Sequence, residues 1–297
     1  MSEHAAAMAE ACRDFNRVEV TTRDGVRLSA YELGRRGAPV VAIVNPIGVP
    51  IVISSRLARQ LGEKYRVICW EQRGYGTVPS DFHRMTHDYG SYVADLEDVL
   101  AWSASDVAAL VGVCSGAALV ISAVARNMIR PSSVALVCPA VRYSAGYVPS
   151  MFDSAFVPYM RMISAGNQPL AREFLNMRAA YAKEPRGGAL DLDEQLIEAA
   201  DTVSLRTLDG LVVYARTIQV FTDQVLDTDI SRVKQKVAVF ATADDRTASI
   251  HSIRRLCKLL PDAELHEYAK GGHFAVFVRE DVRQKIVRVI EAGPGAG

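Results

Sequence analysis

The chain has 297 residues, 49% of them hydrophobic and 23% charged, and its 34 Lys+Arg balance its 34 Asp+Glu. That is enough apolar sequence to bury a sizeable core, and a formal charge of zero argues against both a nucleic-acid binder and a polybasic membrane-surface protein. The five cysteines (Cys12, Cys69, Cys114, Cys138 and Cys257) are odd in number and widely spaced, with no CxxC or Cys/His pattern. Reduced thiols in a cytosolic protein, without zinc, are therefore expected. The opening stretch MSEHAAAMAEACRDF carries early acidic residues and no apolar h-region, unlike a signal peptide.

Alternation along residues 17–22 predicts a strand, Arg23-Asp24-Gly25 a hairpin turn, and 26–33 the partner strand. The apolar run 40–44 reads as a strand buried on both faces. A helix over 57–61, a strand over 65–70 and a helix over 89–102 follow, the last with apolar positions at Val93, Leu96, Val99 and Leu100. Residues 108–125 imitate a membrane span. However, Gly112, Ser115, Gly116 and Ser122 interrupt the run, and a buried strand (107–113), a tight turn and a buried helix (116–128) account for it better. A strand over 133–138 closes this half of the chain.

From residue 142 to 228 the alternation gives way to helices, over 152–163, 169–184, 192–202 and 208–226. It resumes with strands at 236–241 and 264–268 and helices at 249–260 and 280–290. The pattern predicts an α/β fold: a mostly parallel sheet with helices on both faces, formed by residues 1–141 and 229–297, and a helical cap from 142–228 inserted into it. Ligands of such sheets bind at the carboxyl ends of the strands, which directs attention to the loops after residues 44, 113, 241 and 268.

Gly112-Val113-Cys114-Ser115-Gly116 lies between a predicted strand and a predicted helix with the spacing G-x-nucleophile-x-G. Such an elbow strains the nucleophile's backbone, and glycines two residues to either side avoid clashes with the crossing chain. The side chain then sits at a helix N-terminus, where partial positive charge favours a thiolate and a nearby oxyanion. Ser115 falls one place too late to be the nucleophile. The plainer alternative is a tight turn with a buried structural cysteine.

On these residues the chain resembles the α/β-hydrolase superfamily, with cysteine where most members carry serine; the dienelactone hydrolases share the G-x-C-x-G variant. The resemblance covers roughly residues 17–141 and 229–292. It implies a catalytic histidine in a glycine-flanked loop after the last strand, which here is His273 in Gly271-Gly272-His273-Phe274. It implies an acid after strand 236–241: Ala241-Thr242-Ala243-Asp244-Asp245-Arg246-Thr247 resembles G-x-x-D-x-x-[TV]-P and puts Asp244 in the acid position, with Asp245 as its competitor. The order nucleophile, acid, histidine agrees. The loop after residue 138 reads Pro139-Ala140-Val141-Arg142 and offers no carboxylate. His266 lies within a strand, and His4, His83, His87 and His251 lack a matching context.

The resemblance further implies an oxyanion hole built from the backbone N–H of Ser115 and that of Ile47, in Asn45-Pro46-Ile47-Gly48, where family members often have His-Gly-x. The segment Glu71-Gln72-Arg73-Gly74-Tyr75-Gly76 is similar to the family's D-x-R-G-x-G loop and reads as an architectural turn. Cap residues Phe152, Phe156, Tyr159, Met160, Met162, Phe174, Met177 and Tyr181 could line an acyl pocket or form the cap's own core.

Transfer of an acyl group from a thioester to a thiol is close to energetically even. The sequence therefore points to hydrolysis of an ester or thioester, with the acyl group free or linked to a carrier protein or coenzyme A, as in polyketide-type specialised metabolism. Two other readings stay open: acyl transfer, cyclisation or elimination with the same residues, and a non-catalytic small-molecule binder. No G-x-G-x-x-G or Walker loop is present, so no cofactor is expected.

Overall fold

The computed structural model describes residues 8–75, 85–181 and 192–293. Its centre is an eight-stranded sheet in the order β1-β2-β4-β3-β5-β6-β7-β8. The strands are β1 Asn16–Thr21, β2 Arg27–Leu33, β3 Val40–Val44, β4 Arg66–Trp70, β5 Val107–Val113, β6 Ser133–Val137, β7 Val237–Thr242 and β8 Ala263–Tyr268. β2 runs antiparallel to β1 and β4, and every pairing from β4 to β8 is parallel. The predicted mixed but mostly parallel sheet is thus observed.

The strand interiors show why the central runs are apolar throughout. β3 sends Val40, Ala42 and Val44 into the core on one face and Val41 and Ile43 into the core on the other. A strand covered on both sides has no solvent face on which to place polar residues. Helices α1 (Ser55–Gly62), α11 (Ala275–Val278) and α12 (Glu280–Ala292) fill one side through Leu57, Leu61, Phe277, Val282 and Ile286. Helices α2 (Tyr89–Ser103), α3 (Gly116–Ala125) and α10 (Ile250–Leu259) fill the other. Every residue of α3 is buried, so the span-like run is strand β5 followed by a core helix. Among the described residues no helix is long and apolar enough to cross a membrane.

Between β6 and β7 the described residues form only helices and turns: α4 Met151–Ala155, α5 Val157–Ser164, α6 Gln168–Tyr181, α7 Leu192–Thr202, α8 Leu208–Asp223 and α9 Asp227–Arg232. The sequence periodicity merges α8 and the residues after it into one element. The chain instead breaks at Gln224, and the short α9 packs against α3 with Asp229 accepting from Ser122 at 2.7 Å. The far end of the helix expected over 169–184 lies outside the described residues.

The Arg73 loop is architectural, as its spacing suggests. Arg73 is almost fully buried and donates to Asp95 at 2.5 and 2.8 Å, to Asp24 at 2.9 Å and to the Thr86 carbonyl at 3.0 Å. Gly76, the last residue of that motif, lies outside the described residues, as do His4 and His83.

Candidate active site

Cys114 follows directly on β5 with φ 52°, the left-handed conformation that a strand-to-helix elbow imposes on a non-glycine residue. The flanking glycines are explained by what a Cβ would meet. At Gly116 it would strike the Val44 carbonyl, and at Gly112 it would lie 2.6 Å from the Ala117 Cα. Close packing of α3 on the ends of β3 and β5 is therefore what places the thiol at the strand tips.

His273 sits beyond β8 in a loop entered through Gly271 (φ 141°) and Gly272 (φ 60°). Its Nδ1 donates to Asp245 Oδ2 at 2.8 Å, and the Asp245 side chain is fully buried. The other Asp245 oxygen accepts from the backbone N–H of Thr247 at 2.7 Å and of Ala248 at 3.0 Å. Burial opposes ionisation of Asp245, but the His273 ring and these N–H donors together hold its pKa below the usual carboxylate range. Burial likewise opposes charge on His273, yet Cys114 and Asp245 beside the ring carry its pKa well above the ordinary imidazole value.

The expectation that Asp244 holds the histidine is thereby corrected. Asp244 accepts from the backbone N–H of Gly272 at 2.8 Å and of Gly271 at 3.3 Å. It anchors the loop that carries His273 and does not touch the ring. The strand lies one residue further along than expected: β7 runs to Thr242, and the second aspartate reaches inward. Thr242 reinforces the same loop, donating from Oγ1 to the Gly272 carbonyl at 2.8 Å.

Cys138, one of the five reduced thiols expected, belongs to the site as well. It has φ 44°, is fully buried, and its sulfur lies in the same cluster as the Asp245 carboxylate and the His273 ring. Burial, followed by the Asp245 charge, pushes its thiol pKa well up. Cys138 is thus a neutral floor beneath the acid. The signal that could have found it is the strand-order rule, which sets the tips of β5 and β6 side by side.

The expected oxyanion loop also differs in detail. Ile47 lies where anticipated, but its N–H does not stand open: it donates to Ser115 Oγ at 2.9 Å. The loop itself is held firmly. Ser54 donates to the Asn45 side chain at 2.5 Å, Gln72 to the Asn45 carbonyl at 3.2 Å and Ser204 to the Gly48 carbonyl at 2.7 Å.

Cys114, Ser115, His273 and Ile47 open on one cavity of about 260 Å³, roofed by the helices between β6 and β7. Of the predicted lining, Phe152 and Phe156 face this cavity. Met160 is buried in the core, Phe174 packs on Phe156, and Tyr159, Met162 and Met177 are exposed. The side chain of Tyr181 lies outside the described residues. The cavity wall also carries two arginines. Arg142 is neutralised by Asp153 at 2.5 Å, whereas Arg178 has no ion pair among the described residues. The roof is tied to the acid loop by the Phe152 N–H, which donates to the Arg246 carbonyl at 3.0 Å. His266 stacks on Phe240 within the sheet, away from this site.

Sheet order, elbow and helical roof together define an α/β-hydrolase architecture. The alpha/beta hydrolase family pattern matches residues 49–287, and the chain belongs to that family. No curated protein matches the sequence. Among solved structures, an esterase from Exiguobacterium antarcticum superposes with TM-score 0.68 at 15% identity, covering 92% of this chain and 99% of that one. The enol-lactonase from Burkholderia xenovorans LB400 gives 0.69 at 17% identity, covering 92% and 100%. A bacterial membrane phospholipase A gives 0.70 at 16% identity, covering 97% and 90%. At such identities the likeness establishes the fold.

Proposed function

We propose that the protein is a hydrolase that cleaves an ester or thioester by way of an acyl group carried on Cys114. His273 acts as base and then acid, and Asp245 holds its ring. The observation that carries this reading is the 2.8 Å bond from His273 Nδ1 to the buried Asp245 carboxylate, with Cys114 on the elbow in the same cavity. A carboxylate on Nδ1 fixes the ring proton there and leaves Nε2 for the nucleophile.

The Cys114 sulfur attacks the carbonyl carbon and its proton passes to Nε2. The carbonyl π pair moves onto oxygen, and the backbone N–H of Ser115 faces the resulting charge. Collapse expels the leaving group, which takes the proton back from Nε2. Water then repeats the sequence on the acyl-cysteine and releases an acid. A thioester on a carrier protein or coenzyme A is the favoured form of substrate, because its exchange onto a thiol is close to energetically even. Polyketide-type chains are carried in that form. The aromatic cavity suits an apolar acyl group. Arg178 on its wall adds a preference for a chain bearing an anionic group, since a cation with no ion pair among the described residues gains from a ligand that supplies one. An esterase and an enol-lactonase among the structures that share this fold agree with this chemistry.

The test is intact mass spectrometry after incubation with a panel of acyl thioesters and aryl esters. A mass gain equal to the acyl group, located on Cys114 and absent from Cys114→Ala, is expected. Oxygen-18 from solvent should appear in the released acid. Its absence would replace hydrolysis by transfer to another acceptor, and the lack of any adduct with turnover unchanged in Cys114→Ala would refute the reading.

A further inference from the structure

We infer that the side-chain hydroxyl of Ser115 is itself an oxyanion donor, primed by the Ile47 N–H. This inference rests on the acyl-cysteine reading above. Ser115 Oγ accepts from Ile47 N at 2.9 Å, and both residues are buried. A hydroxyl has one proton to give, and among the described residues no acceptor receives that of Ser115. The residue nevertheless lines the cavity beside Cys114 and His273.

Ser115 is also the N-cap of α3, and its own backbone N–H lies before the first intrahelical bond. The residue after the nucleophile thus presents two donors, N–H and O–H, to the space beside Cys114. Accepting from Ile47 polarises the O–H bond and fixes the oxygen in place. When sulfur adds to the carbonyl carbon and the π pair moves to oxygen, the hydroxyl donates a short charge-assisted hydrogen bond to that oxygen. The proton stays on Ser115 throughout, so the step needs no further reactant. Ile47 is then a positioning residue that acts through Ser115, in place of the direct donor that its sequence position suggests.

Opposite expectations separate this arrangement from a hydroxyl that merely plugs the hole. If Ser115 donates, Ser115→Ala removes a donor from the oxygen it holds, and the freed Ile47 N–H lies one hydrogen bond, 2.9 Å, behind the lost one. If Ser115 plugs, the same change opens the hole. The experiment measures kcat and KM for p-nitrophenyl acetate, together with the inhibition constant of trifluoroacetophenone, whose hemithioketal on Cys114 carries the same oxygen. Ser115→Ala should lower kcat roughly 10- to 100-fold, with KM changed less than about threefold. It should also weaken the ketone roughly tenfold or more, with Tm lowered by no more than the few degrees that the stranded Ile47 N–H costs. Equal or improved kcat and ketone binding would overturn the inference and leave acyl-cysteine chemistry standing. Absence of any Cys114-dependent ketone adduct or turnover in the wild type would refute that chemistry, and the inference with it.

Discussion

Exchanging the two neighbouring aspartates for asparagine, one at a time, probes the site most directly. In Asp245→Asn the amide oxygen still accepts from Thr247 and Ala248, which bond the carboxylate at 2.7 and 3.0 Å. The NH2 group is then forced against His273 Nδ1, at the end of the present 2.8 Å bond. Nδ1 must accept, the ring proton moves to Nε2, and the base that Cys114 needs is lost. The comparable loss in a Ser-His-Asp enzyme is about 10⁴ in kcat. A loss of roughly 10³–10⁴ is therefore expected here, or about 4–5.5 kcal/mol at 1.36 kcal/mol per decade. Asp244→Asn keeps an oxygen for the Gly272 N–H and gives up only the longer, 3.3 Å bond from the Gly271 N–H, so it should cost no more than about tenfold, since it acts only through the loop. The assay is steady-state hydrolysis of an aryl ester or acyl thioester shown to acylate Cys114. If Asp244→Asn abolished turnover while Asp245→Asn kept it, the assignment of roles would be wrong.

The same pair sets a pH dependence. Asp245 has a lowered pKa, so its contribution to stability is present above about 3.9 and is lost as pH falls through the folded value. His273 has a raised pKa, so its contribution is complete below about 6.5 and is lost as pH rises through the folded value. Thermal unfolding of Asp245→Asn should therefore lose most, relative to wild type, between roughly pH 4 and 6.5, and a uniform loss from pH 3 to 9 would refute the pairing. Arg73→Met strands the buried Asp95, whose pKa burial already raises to about 6. A cost of about 3–5 kcal/mol is expected, or roughly 6–10 °C in Tm by calorimetry. Iodoacetamide at neutral pH should label Cys114 first, since burial pushes Cys12 up to about 12 and Cys257 up to about 11, and also raises the thiols of Cys69 and Cys138. Peptide mapping that finds Cys12 or Cys257 modified at the same rate would contradict this. Arg178→Met should lower kcat/KM for the p-nitrophenyl half-ester of a dicarboxylic acid about tenfold relative to a neutral ester of equal length. An unchanged ratio would remove the anionic group from the proposed substrate.

The elbow at Cys114 and the loop of His273 were legible because their signals are local. Glycine spacing at residues 112–116 reports a clash within five residues, and Gly271-Gly272 reports a loop of positive φ. The sheet was legible because strands covered on both faces must be apolar throughout. The choice between Asp244 and Asp245 was not, since it turns on whether β7 ends at 241 or 242, a boundary that motif alignment cannot resolve. The cue that could have decided it is the Asx-type turn from Asp245 to Thr247 and Ala248, which draws the second carboxylate inward. The engagement of Ile47 depends on a tertiary contact with a residue 68 positions away, which no periodicity encodes. The helices between β6 and β7 were legible as helices, but which of their aromatics face the cavity depends on rotations about their axes that apolar composition leaves open.

The bond from the Phe152 amide to the Arg246 carbonyl joins the roof to the residue next to Asp245. A roof that lifts to admit a bulky guest must stretch or release that tether, and the strain falls on the turn that orients the imidazole. In the reading proposed above, the entry of a guest and the setting of the imidazole would be geared to one another through that single bond.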